Sequence, residues 1–377
     1  MRLIAGEGLW STGSPAVATP LTAVLEVSGA VLSWPVDEPG AAAHVAFTDV
    51  TRADWLWRVV GDSGHAALLA AAASRADDGA LLEVAEADMP AAAVAPLRRL
   101  AVGHWLRRWW PASRLDGIAG LDRALLDAEI ALLTAATEDY FTDDTVDSDA
   151  AELLAPHVGE LATLARQGDP RVLDVVARCA ELAEDLGVAG LEWPLPAADI
   201  AVPAGGRDDY ALVAGADTRG AGAGVIARGV GPIVWSAVPP GVFDAAEDAV
   251  YWSVSSDGPP AEQVRAEVQT ALLGAASPAG LPVRVSSGPV SGTGALDADG
   301  HATVPLYDGT GIGLSAGAAW DHDWQPTVVS VGAGGPTVAA NESRETRDRA
   351  RAVARRRLAQ PGDDAFLAEI LTAEADY

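Results

Sequence analysis

Pro96-Leu97-Arg98-Arg99-Leu100-Ala101-Val102-Gly103-His104-Trp105-Leu106-Arg107-Arg108-Trp109-Trp110 is the stretch on which the reading of this chain turns. Leu97, Leu100, Ala101, Trp105 and Trp109 recur at three and four residues, which makes one apolar stripe of a helix. Pro96 suits a first helical turn, and Pro111 cannot continue one. Ser113 with Asp116 three residues on has the form of a capping box, so a second helix is expected from about Arg114. Its stripe is Leu115, Ile118, Leu121, Leu125, Ala128 and Leu132. Two helices joined by a short turn predict a helical hairpin over residues 94–136.

Charge is segregated along this hairpin. From Arg98 to Arg114 there are five arginines and no acid, and from Leu115 to Glu160 twelve acids face a single arginine. Pairing between these groups, with the tryptophans in the core, is one expectation, because charge runs are usually solvated or compensated faces. The sharper expectation is a partner surface made of Arg98, Arg99, Trp105, Arg107, Arg108, Trp109 and Trp110, since Arg and Trp are enriched at interface hot spots. A nucleic acid is a poor partner for a chain of net charge −28.

Composition bounds the rest. The 377 residues suggest two or three domains, and 49% hydrophobic content with 21% charge is globular. No uncharged apolar run approaches the length of a membrane span, and the first residues lack the apolar core of a signal peptide. Cys179 is the only cysteine, so no intrachain disulfide can form, and a cytoplasmic location is the default expectation. All 25 basic residues are arginine. The absence of lysine excludes a P-loop lysine, a Schiff-base lysine and a Ser-Lys dyad. Cysteine-rich zinc sites are excluded as well.

Residues 1–50 read as strands, with Leu3-Ile4, Leu21–Val27, Ala30–Trp34 and Ala43–Phe47 separated by Pro and Gly. Thr51 and Asp54 predict the start of a short helix carrying Trp55, Leu56 and Val59, and a second helix is expected from Gly64. Ala41-Ala42-Ala43-His44 and Gly61-Asp62-Ser63-Gly64-His65 echo the strings around the base and nucleophile of trypsin-like proteases. The two are only nineteen residues apart, where that fold places most of two barrels, so the echo carries no catalytic assignment. Asp169-Pro170 and Gly187 bracket a helix whose buried face includes Cys179, a core thiol.

Beyond Trp193 the composition changes. Residues 194–208 read as a Pro/Gly linker, 209–340 as an antiparallel β-sandwich-like domain and 341–377 as a helical tail, against a mainly helical domain over 1–193. The fold class is thus α+β and multidomain. Ile233–Val238, Val250–Val254, Val283–Val285, His301–Leu306 and Thr327–Gly332 are expected strands, and Pro260 is expected to open a helix with Val264, Val268, Ala271 and Leu272 on one face. The Gly-rich run Gly215–Gly224 lacks the third glycine of a dinucleotide fingerprint. Asp297 to Asp308 lacks the glycine a calcium loop needs. Trp320-Asp321-His322-Asp323-Trp324 is the best local ligand candidate, although strand alternation would send His322 away from Asp321 and Asp323. Asn341 can cap a helix through Arg356, and after Pro361-Gly362 a last amphipathic turn carries Phe366, Leu367, Ile370 and Leu371, a stripe that must dock on its own domain or on a partner.

These signs favour a non-enzymatic adaptor or scaffold that binds another protein. A hydrolase with acids assembled from separate segments is the alternative, and a small-ligand or carbohydrate module using Trp320 and Trp324 a further one. No catalytic residue, metal or cofactor is implied by any motif.

Overall fold

The computed structural model describes residues 1–6, 9–13, 19–73, 79–84, 87–141, 146–188, 224–256, 263–274, 276–333 and 342–375. The fold is α+β, with helices and separate antiparallel sheets. The chain divides into two compact units. The first is Met1–Pro111, Ile118–Trp193 and Asn341–Tyr377; the second is Ala112–Gly117 and Pro194–Ala340. The expected linker 194–208, the cap Asn341 and all but the last residue of the run Gly215–Gly224 lie outside the described residues.

In the first unit six strands form an antiparallel sheet. They are Arg2–Gly6 (β1), Leu9–Ser11 (β2), Thr22–Val27 (β3), Ala30–Pro35 (β4), His44–Phe47 (β5) and Leu81–Glu83 (β6), in the order β3-β4-β5-β2-β1-β6. Leu25 lies opposite Leu32, and Leu32 opposite Val45, so one face of the sheet is apolar across three strands. Helix α1 (Leu56–Ala72) is interrupted at Gly61, whose φ of +74° is open to glycine and not to its neighbours. Asp49, not Thr51, caps the turn before it: its carboxylate accepts the Thr51 amide at 3.0 Å.

Four further helices follow α2 (Ala95–Trp109): α3 (Arg123–Ala136), α4 (Val146–Leu154), α5 (Val158–Arg166) and α6 (Pro170–Asp185). Asp169 caps α6 through the Arg171 amide, and Gly187 ends it with φ +66°. Cys179 is fully buried, and burial pushes its thiol up to about 12, which leaves it inert. Helix α3 is central, packed against α2, α4 and α6. Every residue from Ala124 to Ala131 is buried, which puts two acids, Asp127 and Glu129, in the interior.

The second helix of the expected hairpin does not begin near Arg114. Ser113 does accept the Asp116 amide at 2.9 Å, yet the helix starts at Arg123 behind Asp122, whose carboxylate accepts the Leu125 amide. The reason is a long-range acceptor. The buried Asp244 carboxylate takes the amides of Arg114 (2.7 Å) and Leu115 (3.3 Å) and the Ser113 hydroxyl, so these groups are satisfied without a helix. Gly117, at φ +65°, then turns the chain.

The C-terminal segment belongs to the first unit. Ser343 caps α8 (Arg344–Ala359) through the Thr346 amide, and α9 (Leu367–Ala375) packs on α8 and α3. Phe366 fills the space left by the missing side chain of Gly103 on α2, where a Cβ would stand 2.7 Å from its ring.

The second unit has two antiparallel sheets. One contains Val225–Gly231 (β7), Val250–Ser256 (β8), Val264–Thr270 (β9) and His301–Pro305 (β12), in the order β12-β9-β8-β7. The other contains Pro282–Ser287 (β10), Val290–Ala295 (β11) and Val328–Val331 (β13), in the order β11-β10-β13. Two expectations are corrected here. The helix expected after Pro260 is strand β9: Val264, Ala266, Val268 and Thr270 are buried and Glu267 and Gln269 exposed, a period of two. Ile233–Val238 is not a strand but a 3-10 turn at Trp235–Ala237, closed by the Ala237 amide on the Val234 carbonyl at 3.0 Å and flanked by Pro232, Pro239 and Pro240, whose missing amides stop a ladder from continuing on either side.

Candidate functional site

The residues expected to meet a partner are engaged within the first unit. Arg98 pairs with Asp364 at 3.0 Å. Arg99 donates to the Ala365 carbonyl at 3.2 Å and stacks 5.1 Å from the Phe366 ring. Trp105 is buried, its indole N–H on the Pro20 carbonyl, and Trp110 donates to the Ala119 carbonyl at 2.9 Å. Arg108 lies 4.5 Å over Trp109. Phe366 and Leu367 are buried, and Ile370 and Leu371 half-buried. The amphipathic stripe thus finds its apolar partner in its own chain.

The run Trp320–Trp324 does not converge on a ligand either. Trp320 and Asp321 end a short helix, α7 (Ala316–Asp321), and not an edge or loop segment, because the Ser315 hydroxyl accepts the Ala318 amide and caps it. Trp324 is buried with its N–H on the Ala319 carbonyl, while Trp320 stays exposed. His322 bonds Ser287 at 3.0 Å and stands edge-on to Trp324, and Asp323 accepts the Gln325 amide. Among the described residues, no group of three or more His, Cys, Asp or Glu could hold a metal ion.

A cleft of about 600 Å³ opens instead elsewhere in the first unit. It is lined by the end of β3 and the turn that follows it, including Glu26, and by Thr48 and Arg52 after β5. One wall is α2, where Leu100, His104 and Arg107 fall on one face at spacings of four and three. Another is α4, where Asp149 and Glu152 share a face with Val146 and Leu153. The size is within the range of small-molecule sites, about 300–1,000 Å³.

Arg107 is the most strongly positioned of these groups. Its Nε donates to Asp127 at 2.9 Å. The other oxygen of the same carboxylate accepts from Arg123 at 3.0 Å and lies 3.1 Å from His157 Nε2. Arg123 also donates to the Arg107 carbonyl at 2.8 Å, so backbone and side chain of Arg107 are both held. The terminal guanidinium nitrogens of Arg107 make no hydrogen bond among the described residues. Neither does the imidazole of His104 one turn earlier. Burial, and then the Arg107 charge, lower the His104 pKa against the opposing pull of Asp149 and Asp127, which favours the neutral ring. The site therefore offers fixed donors, a neutral imidazole and carboxylates around a volume that fits a ligand.

Of these residues the sequence had marked only Arg107 as a candidate binding residue, and for a protein partner. The polar pair His104/Arg107 on the same side as Leu100, and Asp149/Glu152 three apart, were the available signals. Comparison with family models, curated proteins and solved structures gave no match.

Proposed function

We propose that the first unit is a binding module for a small polar ligand, held in the cleft between α2 and α4. The observation that carries this reading is Arg107. Its Nε is fixed by a buried carboxylate, and its terminal nitrogens remain open beside an unbonded neutral imidazole. A preorganised side chain with unused donors is the arrangement that binding requires and that packing alone does not. Isothermal titration of the full-length protein with fractionated small-molecule extract tests it. A fraction that binds wild type and loses at least tenfold in affinity with Arg107→Gln supports the reading; fractions that bind both equally, or none at all, reject it.

The acids here come from separate segments, Glu26 from β3 and Asp149 and Glu152 from α4, and a neutral imidazole can accept a proton. Turnover of a bound fraction would therefore make the module an enzyme, with hydrolysis the first reaction to assay.

An adaptor role in a cytoplasmic assembly is the second reading, now centred on the second unit. Its two sheets suit a sandwich-like layout, and Val230 on β7 lies directly opposite Tyr251 on β8 with both side chains exposed. Adjacent exposed apolar residues on a sheet face favour a protein contact. Crosslinking in the native host, repeated with Val230→Asp and Tyr251→Asp, checks it: a stoichiometric partner lost in both variants is the expected result, and an unchanged monomer counts against it.

A further inference from the structure

Resting on the cleft reading, we infer that the ligand is a small zwitterion of the amino-acid or short-peptide class, its carboxylate on Arg107 and its ammonium group on Asp149 and Glu152. The charges of the cleft are distributed by wall. The α2 wall presents the Arg107 guanidinium and the neutral His104; the α4 wall presents two carboxylates three residues apart. These opposite charges do not neutralise each other. Arg107 makes its only ion pair with Asp127, and Asp149 and Glu152 make none among the described residues. A molecule that bridges the walls would satisfy both.

Simpler charge types fit less well. A multiply charged anion would meet Asp149, Glu152 and Glu26 as well as the arginines, on a chain that is already strongly acidic. A simple cation would leave the Arg107 donors desolvated and unmatched. A carboxylate matches the planar fork of a guanidinium, and an ammonium group supplies three donors for carboxylates and for one nitrogen of a neutral imidazole. Leu100 and Leu153 add an apolar patch for a side chain or a peptide stem.

The test uses the full-length protein at low salt and pH 7.5, with binding measured by calorimetry and by shift in melting temperature. Zwitterionic probes are glycine, L-leucine, L-glutamate, L-arginine and diglycine. Acetate and inorganic phosphate are the anionic probes, and methylamine and ethanolamine the cationic ones. The expected result is saturable binding of at least one zwitterion, with the purely anionic and purely cationic probes at least tenfold weaker. Arg107→Gln and the double variant Asp149→Asn/Glu152→Gln should each weaken that binding at least tenfold, while Trp320→Ala in the second unit leaves it unchanged. The α4 pair carries no internal hydrogen bond to lose, so this variant reports on binding even if Arg107→Gln fails to fold. Free amino acids against diglycine distinguish the two sources of the zwitterion. Anionic or cationic probes that bind as tightly as the zwitterions would overturn the inference and leave the cleft reading standing. Silence from every probe, with an extract fraction still sensitive to Arg107→Gln, would do the same. Silence from probes and extract together would overturn both.

Discussion

Asp127 and Glu129 are two residues apart on α3, so they leave the helix in different directions, and each fixes a different neighbour. Asp127 fixes Arg107, Arg123 and His157. Replacing it by Asn keeps the shape but removes the charge that two arginines share. Asp127→Asn should cost about 1–3 kcal/mol in stability, the scale of charge-assisted hydrogen bonds to two arginines that keep access to water, and should weaken any cleft ligand through a less well held Arg107. Chemical denaturation and titration measure the two effects separately. Glu129 accepts the Leu367 amide at 2.7 Å and the Ala368 amide at 3.4 Å at the start of α9. Burial pushes its pKa up to about 7 from 4.5, against the pull of Arg99 and these amides. Between those values the folded chain binds more proton than the unfolded one, so this site loses stability as pH rises from about 4.5 to 7. Glu129→Gln, which mimics the protonated acid, should remove that slope in denaturation curves taken at pH 5, 6 and 7.5. His104 acts with the opposite sign. Its folded pKa is lowered from 6.5, so its contribution is present above about pH 6.5 and falls away as the pH drops toward the folded value. His104→Gln should flatten the acid side of the same curves.

At the level of the helices, the close approach of α2, α3 and the C-terminal segment depends on Gly103. A Cβ there would stand 2.7 Å from the Phe366 ring and 2.9 Å from Ile130. Gly103→Ala should therefore destabilise by about 1–3 kcal/mol despite the better helix propensity of alanine, because overpacking outweighs a gain of roughly 1 kcal/mol. A smaller loss, or a gain, in urea melts would show that Phe366 can shift. The helix bounds themselves were readable in the sequence where a local signal is complete. Pro96 opens α2, Asp169-Pro170 opens α6 and Gly187 closes it, each through groups within a few residues. Strand β9 was not readable, because Val264 and Val268 are four apart and suit a helix face and a strand face equally. Ser113 and Asp116 carried a valid cap signal, and Asp244, far along the chain, diverted it.

For the molecule as a whole, the C-terminal segment is part of the first unit and not an independent tail. Phe366 is buried against α2, and the buried Glu369 is held by Arg357 at 2.6 Å. Truncation after Gln360 should thus lower the stability of the first unit by several kcal/mol, since it removes a buried aromatic and strands both Arg357 and Glu129. Calorimetry of the truncated chain should show an earlier transition for that unit; an unshifted one would mean the segment docks only loosely. Local chemistry alone established the α+β class, most strands and helices, the inert core thiol and the exclusion of lysine-based catalysis. Each of these follows from residue identity or from spacing within one turn or one strand. The cleft was decided by long-range packing. His104, Arg52, Glu26 and Asp149 lie on separate elements, and no periodicity links a helix face to a strand end that the chain reaches only by folding. The same holds for the arginine-rich hairpin: its charges were plain, but their partners Asp127, Glu129 and Asp364 became identifiable only when α2, α3 and the C-terminal segment met.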